Sequence, residues 1–282
     1  MDPVFGQLLA EYPRFRTALE PAAHSRVLTV AELAAPAVIE RAVVAAGELF
    51  GVTDPRHAGQ LWWFSAVNAL VAPSVTAMVE YGRVPDLDLG TGELFVRDPE
   101  DGCGDPGAGY WIGFTPGSFV SGSSDADPRN PQRRSGEGFT RSVAPVVESL
   151  SLVTGVKPAP LWAVVSDGVA QAAVEAGNEA FDPYLGVRTA VALVSGLGAA
   201  GPGDGVVVPQ PRFLDISVTG GTVTPTDMEA VFAEEEPDGV HTVVKRASCC
   251  MIYRSPTAGK CLSCPKQKPE ERERKLVSGL VP

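Results

Sequence analysis

Four of the five cysteines in this chain lie within sixteen residues, Cys249, Cys250, Cys261 and Cys264, spaced C-C-x10-C-x2-C. That spacing limits what the segment can fold around. Thiolates are soft donors suited to zinc or to an iron–sulfur cluster. A C-x2-C turn aims both of its sulfurs at one metal region, and the Pro265 that follows matches the Cys-Pro ending of iron–sulfur loops. The adjacent pair Cys249-Cys250 separates the options. Neighbouring side chains diverge, so chelating one tetrahedral ion with both strains the backbone. Zinc sites space paired ligands by two to four residues instead. A binuclear cluster offers two irons and takes divergent thiolates more easily. The alternative is a structural zinc site on the same four cysteines, in a non-catalytic binding module.

The surroundings of the motif add a resemblance. Cys249, Cys250, Cys261 and Cys264 fit the C-terminal C-C-x10-C-x2-C signature of the FhuF-like ferric siderophore reductases. Gln60-Leu-Trp-Trp-Phe with Val71-Ala-Pro73 resembles that family's aromatic helix, and Pro160-Leu-Trp162 resembles its helix start after a proline. The family's glycine after the third cysteine is Leu262 here. The resemblance implies a [2Fe–2S] cluster on the four cysteines and one-electron reduction of Fe(III) to Fe(II) in a siderophore. An external donor such as a ferredoxin would supply the electron. The coordination chemistry agrees: hard oxygen donors match Fe(III), and an added electron weakens their hold.

Charge bears on partners. The chain carries a net charge of -11, which argues against nucleic acid, because DNA binding rests on clustered cations that neutralise phosphates. Yet residues 245–275 are net positive, and Lys245, Arg246, Arg254 and Lys260 flank the cysteines. Cations beside an anionic cluster favour its reduced form. The same four residues are candidates for docking an anionic siderophore or an acidic donor protein. The first residues lack a basic segment followed by an apolar one, and the long apolar stretches 27–50 and 61–79 are interrupted by charges, His, Asn or Pro. No transmembrane segment is therefore expected, and the expected place is the cytoplasm, free or peripheral at the inner face of the membrane. Clustered cysteines there point to metal or redox chemistry before disulfides.

The expected fold is α+β, mostly helical, with a small sheet and a C-terminal cluster loop. Its parts are a helical segment 1–82, a mixed segment 83–244 and a cluster-binding segment 245–282. Asp2-Pro3 opens a first helix, the capping box Thr29-Val-Ala-Glu32 opens a second that runs to Phe50, with Pro36 inside the pattern as a point where its start can shift, and Asp54-Pro55 opens a third. Pro73 kinks the third or starts a new segment ending near Gly82. Alternation over 85–96 reads as strand, as do 110–114, 206–208, 212–218, 222–224 and 240–244. Gly-rich stretches 98–109 and 116–138 read as loops, and 139–153, 160–176, 183–197 and 226–235 as helices. The polar tail 266–275 reads as a solvated helix.

Other signals are weaker. Gly196-Leu-Gly198-Ala-Ala-Gly201 fits the dinucleotide fingerprint, but a helix rather than a strand precedes it, so a helix end is the better reading. Cys103 sits in a turn-prone loop and reads as a spare thiol. His24, His57 and His241 share no metal-ligand spacing. Trp62, Trp63, Phe64 and Trp162 read as core and groove residues. Ser166-Asp167 lacks a nucleophile elbow.

Overall fold

The computed structural model describes residues 2–97, 110–121, 130–201, 203, 206–234 and 237–280. Its helices are α1 Pro3–Glu11, α2 Arg16–Leu19, α3 Val30–Leu33, α4 Pro36–Phe50, α5 Pro55–Tyr81, α6 Asn130–Thr154, α7 Pro158–Glu179, α8 Pro183–Ala199, α9 Met228–Phe232 and α10 Pro269–Leu280. Its strands are β1 Arg26–Leu28, β2 Glu93–Arg97, β3 Trp111–Thr115, β4 Phe213–Ser217, β5 Val223–Pro225 and β6 Val240–Val244. The fold is α+β and mostly helical. Two antiparallel three-stranded sheets, ordered β1-β2-β3 and β5-β4-β6, take the place of the single small sheet expected.

Local chemistry explains the helix ends. Asp2 and Asp54 accept from the first-turn N–H groups of α1 and α5, each with proline at the first helical position. Thr29 and Glu32 close the capping box on α3. The single helix expected from Thr29 to Phe50 is divided in two. Proline disfavours helical backbone in the residue before it, and Ala35 is extended at φ -63°, ψ 130°, so α4 starts afresh at Pro36. Pro73, in contrast, does not end α5. It removes one internal hydrogen bond, but the buried run from Leu70 to Val79 holds the helix against its neighbours.

The packed centre is built from α5, α7, α8 and α6. Trp63 and Trp162 are fully buried there, and one continuous apolar core extends from Phe5 to Cys250. Burial of each such ring stabilises the fold by about 2–3 kcal/mol. Trp63 Nε1 donates to the Leu161 carbonyl and Trp62 Nε1 to the Tyr110 carbonyl, so the indole dipoles are satisfied inside. The helix α5 is long and apolar enough to cross a membrane by length and composition, and 78% of its apolar window is buried inside the protein.

Several expectations are corrected. Residues 130–138, read as loop for their glycines, belong to α6. A Cβ on Gly136 would lie 2.2 Å from the Leu193 carbonyl oxygen, and one on Gly196 would lie 2.0 Å from that of Arg133. These glycines let α6 and α8 touch backbone to backbone. The strand expected over 85–96 is confined to Glu93–Arg97. Leu87 and Leu89 are buried from a turn that Asp86 and Asp88 brace through their own backbone. Residues 206–208 form no strand. The tail 266–275 is exposed or half-buried apart from Gln267, as a solvated helix should be, and the burial begins just after it. Leu276 of α10 is buried against Leu214 and Ile216 of β4, with Val277 and Leu280 beside it. The fingerprint-like glycines 196–201 fall at the C-terminal end of α8. Cys103 lies outside the described residues.

Candidate metal centre

The strand β6 delivers the chain to the cysteines. Its ladder continues to Lys245, whose N–H donates to the Arg212 carbonyl at 2.8 Å. The next residues turn onto α7, where the carboxylate of Asp167 is buried. Asp167 Oδ1 accepts the N–H of Ala247 at 3.1 Å, and Oδ2 accepts both the N–H and the hydroxyl of Ser248 at 2.6 Å each. From α5, Gln60 Nε2 donates to the Cys249 carbonyl at 3.0 Å. Two core helices thus hold the backbone immediately before the first two cysteines.

The four thiols lie close enough to influence one another: Cys249 interacts with Cys250 and Cys264, and Cys261 with Cys250 and Cys264. Among the described residues, no three His, Cys, Asp or Glu side chains converge as ligands of a single ion. Adjacent thiols such as Cys249 and Cys250, which diverge from one another, suit a binuclear cluster better than one tetrahedral ion. Cys249, Cys250 and Cys264 are buried and Cys261 is half-buried, which puts one edge of the site near solvent. As free thiols the groups differ. Cys250 is drawn down to about 5 by the hydrogen bond from Cys261, against the effect of burial, with the Ile252 N–H and the Arg246 charge assisting. Cys261, the donor in that pair, is pushed up. Cys249 is also pushed up, chiefly by burial, while the Met251 N–H opposes.

Backbone conformation contributes as well. Met251 has φ 63°, left-handed geometry that side-chain-bearing residues rarely adopt. There the successive N–H groups of Met251 and Ile252 face the Cys249 and Cys250 sulfurs, a small nest of donors for anionic sulfur. On the other side, the Cys264 N–H donates to the Cys261 carbonyl at 3.1 Å, and the buried Gln267 side chain donates to that same carbonyl.

Arg246 sits inside this site and not on the surface. Its side chain is 2% exposed. Its guanidinium lies 4.4 Å over the Phe64 ring, Nη1 is 3.8 Å from Cys261 Sγ, and Nε is 3.8 Å from Asp167 Oδ2. Nε and Nη2 have no hydrogen-bond acceptor among the described residues. A buried cation with unspent donors beside four thiols fits an anionic thiolate cluster, whose sulfurs are acceptors. The expectation that Arg246 docks a partner is therefore corrected: its stack on Phe64 and its closeness to Asp167 hold it in the interior. Arg254 and Lys260 are exposed and Lys245 is half-buried. Lys260 Nζ bonds the Lys266 carbonyl, and Arg254 lies over Tyr253.

A cleft of about 390 Å³ opens beside the cysteine turn, lined by Leu262 and Ser263 of the turn, Asn178 and Val174 of α7, His241 of β6 and Leu276 of α10 among others. The Asn178 amide is fixed by Thr242, donating to its carbonyl at 2.8 Å and accepting its N–H at 3.0 Å. That orientation presents Nδ2 to His241 Nε2 at 3.3 Å, an arrangement that favours the neutral imidazole as acceptor. Burial likewise moves His241 below its ordinary value. His24 is exposed, and His57 sits by Asp54 at the start of α5, so no histidine joins the thiols.

Asp167 and Gln60 were not singled out as site residues by sequence. A signal existed in both: each is a polar group within an apolar helical run, and a buried carboxylate demands partners. Nothing in sequence marked Met251.

Comparison with known families matches residues 246–266 to the FhuF 2Fe-2S C-terminal domain. Comparison with curated proteins gives no match. The chain is FhuF-like in this segment, and its cofactor is a [2Fe–2S] cluster.

Proposed function

We propose that this protein is a ferric-siderophore reductase, an oxidoreductase that passes single electrons to siderophore-bound Fe(III), with Cys249, Cys250, Cys261 and Cys264 as the cluster ligands. The observation that carries this reading is the gathering of four thiols within a FhuF-type 2Fe-2S segment, with the Cys261 edge half-exposed. When bound, a [2Fe–2S] cluster supplies one electron at a time. The substrate needs little else: Fe(III) accepts that electron, its attraction for hard oxygen donors falls, and the metal leaves as Fe(II).

The chain's own residues do the remaining work. Asp167 and Gln60 fix the loop backbone, and the Met251 and Ile252 N–H groups face the sulfurs. Burial of three thiols excludes water from all but one side. The cleft beside Leu262 and Ser263 is the docking place for the ferric chelate: Val174, Leu276 and Leu280 offer apolar walls, and Gln171 and Ser263 offer polar groups, with Glu175 and Glu179 at its acidic side. Exposed Arg254 and Lys260, with Lys245, form a basic rim suited to an acidic electron-donor protein such as a ferredoxin. The glycines at 196–201 fall at the end of a helix rather than after a strand, which favours a separate protein as the electron donor.

The test is an anaerobic single turnover. Dithionite-reduced protein, freed of excess reductant, is mixed with a ferric siderophore and a chromogenic Fe(II) chelator. The oxidised visible spectrum should return in step with Fe(II) capture, whereas NADPH alone should leave oxidised protein unreduced. A cluster that stays reduced in the presence of ferric siderophores excludes the proposal.

A further inference from the structure

We propose that the buried Arg246–Asp167 pair sets the reduction potential of the cluster, with Arg246 donating to cluster sulfur and Asp167 restraining and partly offsetting its charge. This rests on the ligand assignment above. Four observations converge on it. The Arg246 side chain is 2% exposed and that of Asp167 is 3% exposed, so neither charge is dispersed by solvent. The guanidinium reaches one of the thiols, with Nη1 3.8 Å from Cys261 Sγ. Nε and Nη2 are buried without an acceptor, so the fork holds donors in reserve. Phe64 beneath the plane and Asp167 beside Nε fix where those donors point.

The physics gives opposite signs for the two residues. Adding an electron makes an all-thiolate cluster more negative, and a buried cation in contact with it stabilises that state more than the oxidised one. Arg246 therefore raises the potential. Asp167 is a fixed negative charge next to the same group and lowers it. In a poorly solvated site both effects outweigh those of exposed charges and escape screening by salt. The exposed side chains of Arg254 and Lys260 should move the potential far less.

The experiment is a potentiometric titration, followed by visible absorption and by electron paramagnetic resonance of the reduced state, at low and at high salt. Arg246→Gln should shift the potential down and Asp167→Asn should shift it up. Potentials are read on the cluster-loaded fraction of each variant, and both shifts should persist in salt. Potentials that do not move, or that move in the same direction with the cluster intact, overturn the inference. If Arg246→Gln fails to load iron, Arg246→Lys is compared with Asp167→Asn. The lysine variant keeps the charge and should titrate near the unaltered protein, below Asp167→Asn. Equal potentials for those two, or failure of the lysine variant to load, would assign Arg246 a purely structural role and overturn the inference. An unaltered protein without a cluster would instead sink the ligand assignment, so the two failures are distinguishable.

Discussion

Asp167 on α7 and Ser248 in the cysteine loop are joined twice through one oxygen: the Ser248 N–H and its hydroxyl both donate to Asp167 Oδ2 at 2.6 Å. With the Ala247 N–H on the other oxygen, one buried carboxylate satisfies three donors and ties the loop to a core helix. Removing it leaves those donors dry and Arg246 without its counter-charge. Asp167→Ala should therefore lower stability by about 3–5 kcal/mol and reduce iron occupancy. Thermal melts and iron assays on freshly purified protein check this. Unchanged melting with full iron would remove Asp167 as the anchor.

Gln60 makes a single contact with the loop, its amide to the Cys249 carbonyl. Gln60→Leu keeps the volume and loses the bond, so about 1 kcal/mol of stability should go while the cluster is retained. Bleaching of the variant during purification would show that the Cys249 peptide needs the bond to stay in place.

The α6–α8 contact predicts a larger effect. Gly196→Ala forces a methyl to within 2.0 Å of the Arg133 carbonyl oxygen, and backbone cannot yield as a side chain can. A loss of about 2–3 kcal/mol or more is expected, read by chemical denaturation. Gly198→Ala, where a Cβ meets nothing within 4 Å, is the control and should be neutral or slightly stabilising.

Much of this arrangement is written locally. The caps at Asp2, Thr29 and Asp54 and the strand 240–244 follow from short-range chemistry, and the cysteine spacing alone marks the cofactor site. The glycines of 130–138 misled because an unpaired glycine is a loop signal, whereas Gly136 and Gly196 have meaning only once α6 meets α8. The solvated tail 266–275 was legible in its polar residues, whereas the apolar stripe just beyond it, Leu276 with Leu280, gains its meaning only once β4, about sixty residues earlier, packs against it. Arg246 was read as a docking cation because adjacency to the cysteines was visible and its burial under Phe64 was not.

The cleft carries a pH prediction. Burial lowers the His241 value, and Asn178 Nδ2 already donates to its Nε2. Protonation in the folded state would set two donors face to face. The unfolded chain takes up a proton first as pH falls through the ordinary histidine range, near 6.5. Stability from neutral His241 is therefore complete above that range and is lost as pH drops toward the lowered folded value. His241→Gln should weaken the decline in melting temperature between pH 7 and pH 5. An identical decline in both proteins would show that His241 does not contribute to it.

The most direct test of the central claim, four thiolates around two irons, is electron paramagnetic resonance of the dithionite-reduced protein, with iron and acid-labile sulfide assayed on the same sample. We predict a red-brown protein with iron and sulfide in equal amounts, about two of each per chain, and a spin-one-half signal that disappears on reoxidation. The signal should be lost or distorted in Cys249→Ser, Cys250→Ser, Cys261→Ser and Cys264→Ser and kept in Cys103→Ser. A colourless protein carrying zinc without sulfide, or a signal lost with Cys103→Ser while surviving one of the other four, would contradict it.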